Sequence, residues 1–353
     1  MKKIITSKWF LIPAFLILVI TIYVNYKLAF LGTSEDIIFK SHDIEIEGML
    51  LRPDEPGPHP AIVLLQGAGG SHQGHDKWYN RFHANSFVKK GFAVLIYTKR
   101  GSGNNDVDYR YFTYKDLMQD ALAAVRFLRE QPNIDGDNIG LMGISESGWF
   151  TPEVAAVDGN IRFIINRVSS PLSVTKTVVH ERRMDAKAEG FTDQEIEEYI
   201  IPITQRIWQF YIDVANDPSK ANGPERKSIN NTLVEMNNHD RLKEWFTYSS
   251  LNEYDPKLYT ARGSNYAYDP FPYLKEINVP MYYVMARKDI NMPTKEIVAF
   301  LNKFKEENNK DITIKVYPDA GHYLYRWNSL PIEGLYEPGY LKLLSDWASK
   351  QIE

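Results

Sequence analysis

The 353 residues are enough for one large α/β domain with insertions, or for two or three average domains. Lys and Arg number 41 against 45 Asp and Glu, a formal net charge of -4, which is too balanced to hold a phosphate backbone by counterion release, so nucleic acid is not an expected partner. With no cysteine, disulfides, a thiolate nucleophile and cysteine-ligated zinc are excluded, and any chemistry must come from Ser, His, Asp, Glu, Lys or Tyr.

The N-terminus differs from the rest. After Lys2, Lys3 and Lys8 an apolar run covers residues 9–24, interrupted only by Pro13 and Thr21. A membrane-spanning helix takes about 20 apolar residues and tolerates roughly 17, so this run is short but sufficient. Trp9, Phe10, Tyr23 and Tyr26 lie where interfacial aromatics belong, and the early lysines predict a cytoplasmic N-terminus with the body of the chain outside. A cleaved signal peptide is the rival, but its small-residue site, Gly32-Thr33-Ser34, falls beyond Lys27, Phe30 and Leu31. Residues 1–34 are therefore expected to form a membrane anchor and linker, with secretion as the alternative.

From Asp36 strands and helices alternate, the pattern of a mostly parallel sheet covered by helices on both faces. Residues 36–40 and 44–52 alternate apolar with polar side chains and predict an opening hairpin, whereas 60–65 (PAIVLL) and 92–97 (FAVLIY) are continuous apolar runs, as inner strands require. Residues 79–90 predict a helix, and 115–129 a clearer one, with Leu117, Ala121, Ala124, Val125 and Leu128 near helical spacing. A strand at 138–142, a helix at 147–157 and a strand at 161–168 follow. Residues 172–263 are helical, charged and aromatic with no apolar strand run, and predict an inserted cap between a first core part, 35–171, and a second, 264–353. The second part contains a strand at 280–286, a helix at 294–306, a strand at 312–317 and a last helix at 340–351. The interval from Ser145 to Asp289 is about twice what a helix, a strand, another helix and a strand with short loops need, which leaves the surplus to the cap.

Gly143-Ile144-Ser145-Glu146-Ser147 lies at a predicted strand-to-helix turn, where a serine can be held exposed in a strained conformation if the residues two before and two after it are small. Acyl transfer through Ser145 needs a base within hydrogen-bond reach and a carboxylate to fix that base's tautomer. His322 follows the last strand and Asp289 the strand before it, so all three residues fall at the carboxyl ends of strands, where open α/β sheets bind ligands. Asp319, three residues before His322, is the competing acid and reads as a turn former. An oxyanion requires backbone N–H donors, for which Glu146 and Ala68 are the candidates, the latter in the glycine-rich Gln66-Gly67-Ala68-Gly69-Gly70. That loop lacks the Lys-Ser/Thr ending of a phosphate-binding loop.

These motifs, spread over residues 62–168 and 280–346, resemble the α/β-hydrolase superfamily, especially bacterial esterases and dienelactone-hydrolase-like or prolyl-oligopeptidase-like proteins. Gln66-Gly67-Ala68-Gly69-Gly70 is similar to their oxyanion loop, Lys99-Arg100-Gly101-Ser102-Gly103 to the turn after the fourth strand, and Gly143 to Ser147 to the nucleophile turn. Gln66 and Ser147 depart from the common His and Gly.

The resemblance implies an α/β-hydrolase fold and a serine hydrolase cleaving carboxylic esters of small molecules through an acyl-enzyme, without cofactor or metal. A peptidase or amidase, and a non-catalytic binding protein of the same fold, are the alternatives. Arg100 either binds a substrate carboxylate or holds its turn, and His72, His75 and Asp76 lack metal-site geometry. Trp208, Phe210 and Tyr211 of the cap are candidate walls of the substrate pocket, and Tyr109, Tyr111 and Tyr114 are further aromatics near the site.

Overall fold

The computed structural model describes residues 13–19, 21, 29–69, 75–102, 108–243, 245, 251, 255–325 and 336–353. Of the expected anchor, only 13–19 and 21 are among them; they are helical and exposed, and the remainder of the apolar run lies outside the described residues. Among the described residues no helix is long and apolar enough to cross a membrane.

The opening hairpin pairs β1 (Thr33–Ser41) with β2 (Ile44–Arg52) in antiparallel register. Then come β3 (His59–Leu65), α1 (His75–Val88), β4 (Ala93–Tyr97), α2 (Tyr114–Arg129), β5 (Ile134–Ile144), α3 (Ser147–Asp158) and β6 (Phe163–Arg167). After a helical insertion and a short α8 (Phe271–Glu276), the chain completes the sheet with β7 (Met281–Ala286), α9 (Thr294–Asn308), β8 (Ile312–Tyr317) and α10 (Tyr340–Ser349). The strand order is β1-β2-β4-β3-β5-β6-β7-β8, antiparallel at β1-β2 and β2-β4 and parallel from β4 onward.

Period-two alternation explains why the inner strands are apolar throughout. Ala61, Val63 and Leu65 of β3 face the layer that includes α2 and α3, while Ile62 and Leu64 face Phe82 and Phe87 of α1 and Leu344 of α10. Gly140 of β5 allows Phe163 to cross it, since a Cβ there would lie 2.2 Å from the ring. Two elements begin a full four residues before the sequence expectation. β5 begins at Ile134, because Ile134 pairs with His59 across a register shift despite the polar Asp135 to Asn138; α1 begins at His75, one turn before Tyr79.

The chain passes from β3 to β4 on one side and then returns to β5 on the other, so the sheet's switch point lies between the carboxyl ends of β3 and β5. Leu65 pairs with Gly143, which brings the Gln66–Gly69 loop out beside Ser145. Ala286 pairs with Tyr317, which brings out the loops carrying Asp289 and His322 together.

The insertion contains α4 (Val174–Ala188), a turn that runs through a π-helical stretch (Ile196–Ile200) into α5 (Ile201–Asn216), then α6 (Pro224–Asn237) and α7 (Pro256–Tyr266). It has its own apolar core, including Ile200, Trp208, Phe210, Tyr211, Ile229 and Tyr259. α5 and α7 touch backbone to side: at Gly263 a Cβ would stand 2.1 Å from the Tyr211 carbonyl oxygen.

Candidate active site

Ser145 follows β5 directly with φ of 54°, a left-handed conformation that costs a serine energy and lifts its side chain out of the turn. The strain is held by close packing and hydrogen bonds. A Cβ on Gly143 would fall 2.8 Å from Thr151 Cγ2, and one on Gly148 2.2 Å from Ser169 Cβ, so both positions need glycine for strand, helix and β6 loop to meet. Ser145 N–H donates to Arg167 O at 2.9 Å. Ser147, which stands where glycine is commoner, is fully buried; its hydroxyl accepts from the Ile144 N–H at 2.7 Å and lies 3.0 Å from Leu65 O. The departure thus stitches the turn to β3.

His322 Nε2 lies 3.0 Å from Ser145 Oγ, and its Nδ1 lies 2.9 Å and 3.0 Å from the two carboxylate oxygens of Asp289. Asp289 is buried, and its Oδ1 also accepts the N–H groups of Asn291 at 2.9 Å and Met292 at 3.1 Å. Backbone bonds from Arg287 to Tyr317 (2.9 Å) and from Lys288 to Ala320 (3.0 Å) lock the two loops together. The competing acid turns away: the Asp319 side chain is 80% exposed and pairs with Lys288 at 3.0 Å.

The three residues open on a cavity of about 430 Å³ lined in part by Ala68 and Glu146, the two candidate oxyanion residues. Ile144, Trp149, Val178 and Met292 supply apolar wall. The insertion does reach this cavity, but through Thr177, Val178 and Glu181 of α4. Trp208, Phe210 and Tyr211 do not line it, contrary to expectation. They form the insertion's own core, with Trp208 stacked on Tyr266 at 5.2 Å and Tyr211 edge-on to Tyr259 at 4.9 Å, because α5 turns its aromatic face toward α7.

Among the other aromatics, Tyr114 lines the cavity, Tyr111 donates its hydroxyl to Asp255 at 2.6 Å, and the Tyr109 side chain lies outside the described residues. Arg100 is structural: its Nε donates to Asp120 at 2.6 Å in a buried pair. His72 and the side chains of His75 and Asp76 also lie outside the described residues, and among the described ones no group of three His, Asp or Glu could hold a metal ion.

Among the cavity residues that the sequence did not single out are two charged ones, Glu181 and Lys99. Glu181 accepts from Asn291 Nδ2 at 2.8 Å, and burial raises its carboxyl above the ordinary range. Its neighbours His180, Arg182 and Arg183 make the segment look like a solvated charged face. Lys99 is buried at the cavity wall; the Lys99–Gly103 motif places it in the turn after β4, but nothing in that motif signals that it faces the cavity.

A serine, an imidazole and a carboxylate in hydrogen-bonded series at the carboxyl ends of a parallel sheet define a serine hydrolase of the α/β-hydrolase fold. Residues 43–318 match the X-Pro dipeptidyl-peptidase (S15) model, and the chain belongs to that family. Among curated relatives, human acyl-coenzyme A thioesterase 1 is 27% identical over 192 residues, 52% of this chain and 39% of the thioesterase. A thiohydrolase of Aspergillus aculeatus is 26% identical over 186 residues, 50% of this chain and 57% of that protein. The chain thus spans less than two thirds of either relative. Among solved structures, the acylaminoacyl peptidase of Pyrococcus horikoshii aligns with a TM-score of 0.57 at 15% identity, over 93% of this chain and 43% of the peptidase. An esterase of Pyrococcus furiosus aligns with a TM-score of 0.55 at 16% identity, over 93% of this chain and 92% of the esterase. Both share the fold.

Proposed function

We propose that the chain hydrolyses carboxylic esters, thioesters included, through an acyl-enzyme on Ser145. The observation that carries this reading is the 3.0 Å approach of His322 Nε2 to Ser145 Oγ at the mouth of a partly apolar cavity. With Nδ1–H donated to Asp289, Nε2 carries the lone pair that takes the serine proton as Oγ attacks the acyl carbon. The oxyanion rests on the Glu146 and Ala68 amides, His322 returns the proton to the leaving alkoxide or thiolate, and water repeats the sequence to free the acid. The acyl group packs against Trp149, Val178 and Met292. The test is covalent labelling by a fluorophosphonate, read by mass on the peptide containing Ser145, together with an ester panel graded by acyl length. Labelling at Ser145 is the expected result; an unlabelled, inactive protein would be a binding protein of the same fold.

Glu181 favours a second reading, hydrolysis of a substrate carrying an amine. Its raised carboxyl faces the cavity with an amide partner, and the cationic groups that act on it, Arg182 and His322, do so as neighbouring charges while Asn291 makes the hydrogen bond. An ammonium on the substrate would pair with Glu181 directly, as an X-Pro anilide with a free amino terminus allows. The carboxylate forms as pH rises through its raised pKa, so on this reading KM for the anilide falls over that interval and Glu181→Gln abolishes the fall. KM for a neutral ester should not follow it. An anilide left uncleaved at every pH rules the second reading out.

We further propose that residues 9–24 anchor the chain in the cytoplasmic membrane with the catalytic body outside, on the strength of their apolar character, the flanking aromatics and the three preceding lysines. The full chain should sediment with membranes and resist a carbonate wash, whereas a chain starting at Ser34 should stay in the supernatant. A mature protein beginning at Glu35 would establish secretion instead.

A further inference from the structure

Lys99 follows β4 by two residues and is nine-tenths buried. Burying an ammonium is costly unless it is paired and hydrogen-bonded, and Lys99 is both: Nζ donates to the Gly67 carbonyl oxygen at 3.2 Å and to the Glu146 carboxylate. These partners are the immediate neighbours of the two candidate oxyanion donors. Glu146 carries one donor on its own backbone. The Gly67 carbonyl belongs to the same peptide unit as the Ala68 N–H.

A peptide unit is planar and trans, so its C=O and N–H point in opposite directions, and holding one aims the other. The preceding residue is held too, by a hydrogen bond from the Gln66 side-chain amide to the Tyr97 carbonyl at the end of β4. The loop is therefore pinned to the end of β4 at two successive residues. It also lies against the nucleophile turn, for a Cβ on Gly67 would stand 3.4 Å from both Ile144 O and Ser145 Cβ.

We propose that Lys99 is a positioning residue for the oxyanion hole, fixing the Gly67–Ala68 peptide with its ammonium while its ion pair to Glu146 fixes the opposite donor. The charge also polarises the Gly67 carbonyl and so strengthens the Ala68 N–H as a donor. This rests on the reading of Ser145 as nucleophile, and it gives the two departures from common practice in this loop and turn, Gln66 and Ser147, one purpose: each ties an oxyanion segment to a neighbouring strand.

The test compares wild type, Lys99→Met, Lys99→Arg and Glu146→Gln with p-nitrophenyl butyrate as substrate and an alkyl trifluoromethyl ketone as inhibitor. The ketone adds reversibly to the serine, forming one O–C bond while its carbonyl oxygen becomes the oxyanion and the serine proton passes to the histidine. Removing one oxyanion donor costs roughly 10²–10³-fold in kcat, and misaiming one should cost less, about 10- to 100-fold for Lys99→Met. The ketone's inhibition constant should rise by a similar factor with KM little changed, and Lys99→Arg should recover part of both. Glu146→Gln should shift kcat and the inhibition constant together by a smaller factor, and it decides alone if Lys99→Met does not fold. Unchanged kcat and inhibition constant, or a loss confined to KM and melting temperature, would overturn the proposal. Fluorophosphonate labelling of wild type separates the two readings. Failure to label Ser145 removes the nucleophile assignment and this proposal with it, whereas labelling alongside unaltered variant kinetics removes only the role of Lys99.

Discussion

Ser145→Ala is expected to remove turnover with the fold intact, and Asp289→Asn to lower kcat by about 10⁴-fold. The second loss follows from the bonds that Asp289 already makes. Its Oδ1 accepts two backbone N–H groups, from Asn291 and Met292, which an asparagine can retain only by placing its carbonyl oxygen there. The side-chain NH₂ then occupies the other position, where Oδ2 now meets His322 Nδ1 at 2.9 Å. An NH₂ in the nearer position favours an unprotonated Nδ1 over the 3.0 Å approach of the carbonyl oxygen, so the proton moves to Nε2, and a protonated Nε2 cannot accept from Ser145. Folded structure should be undisturbed, because shape and the loop hydrogen bonds are kept. Asp319→Asn is the control: its exposed pair with Lys288 lies outside the series, and near wild-type kcat is expected. Steady-state kinetics on the best ester of the panel, with melting temperatures alongside, would check all three. Activity kept by Asp289→Asn and lost by Asp319→Asn would reverse the acid assignment.

Asp120→Ala should destabilise the fold by about 3–5 kcal/mol, the usual cost of stripping one partner from a buried ion pair. The Arg100 side chain is 6% exposed and that of Asp120 1%. Two hydrogen bonds join them, and Asp116 at 3.5 Å is a second, half-exposed acid that only partly offsets the loss. Asp120 belongs to α2 and Arg100 to the turn after β4, so the pair fastens helix to sheet one residue beyond Lys99. Denaturant unfolding measures the loss. A change below about 1 kcal/mol would show that water reaches Arg100 once the carboxylate is gone.

The parts of this fold that were legible in the sequence are those in which one physical requirement dominates. Inner strands must be apolar on both faces, and β3 and β4 announce themselves as runs such as Ile62 to Leu65 and Val94 to Ile96. The Ser145 turn must have small flanking residues, and Gly143 and Ser147 supply them. The order of Ser145, Asp289 and His322 at the ends of β5, β7 and β8 could be read because a strand end has a position in the sequence. The cavity wall could not be, since which face of an inserted helix looks inward depends on packing against other inserted helices. Trp208, Phe210 and Tyr211 are as apolar as any pocket aromatics, yet α7 claims them through Tyr259 and Tyr266. Glu181 and Lys99 are hidden for the opposite reason: charged residues are ordinarily solvated, and only long-range contacts reveal that these two are drawn inward.

The pairing of β6 with β7 joins Ile164 to Met281 directly, although the entire helical insertion lies between them in the chain. Loop-closure entropy grows only logarithmically with length, so each doubling of such a connection costs about 0.6 kcal/mol. The sheet, and the spacing of Ser145 from the loops of Asp289 and His322, is thus nearly indifferent to how long the inserted segment is. Descendants of this chain can lengthen, shorten or exchange the insertion, provided that it folds on its own core and returns to β7, and in doing so renew the cavity wall while the catalytic geometry remains fixed. The strand pair acts as a hinge pin for evolutionary change: it holds the frame closed and leaves the substrate-facing surface free to diversify.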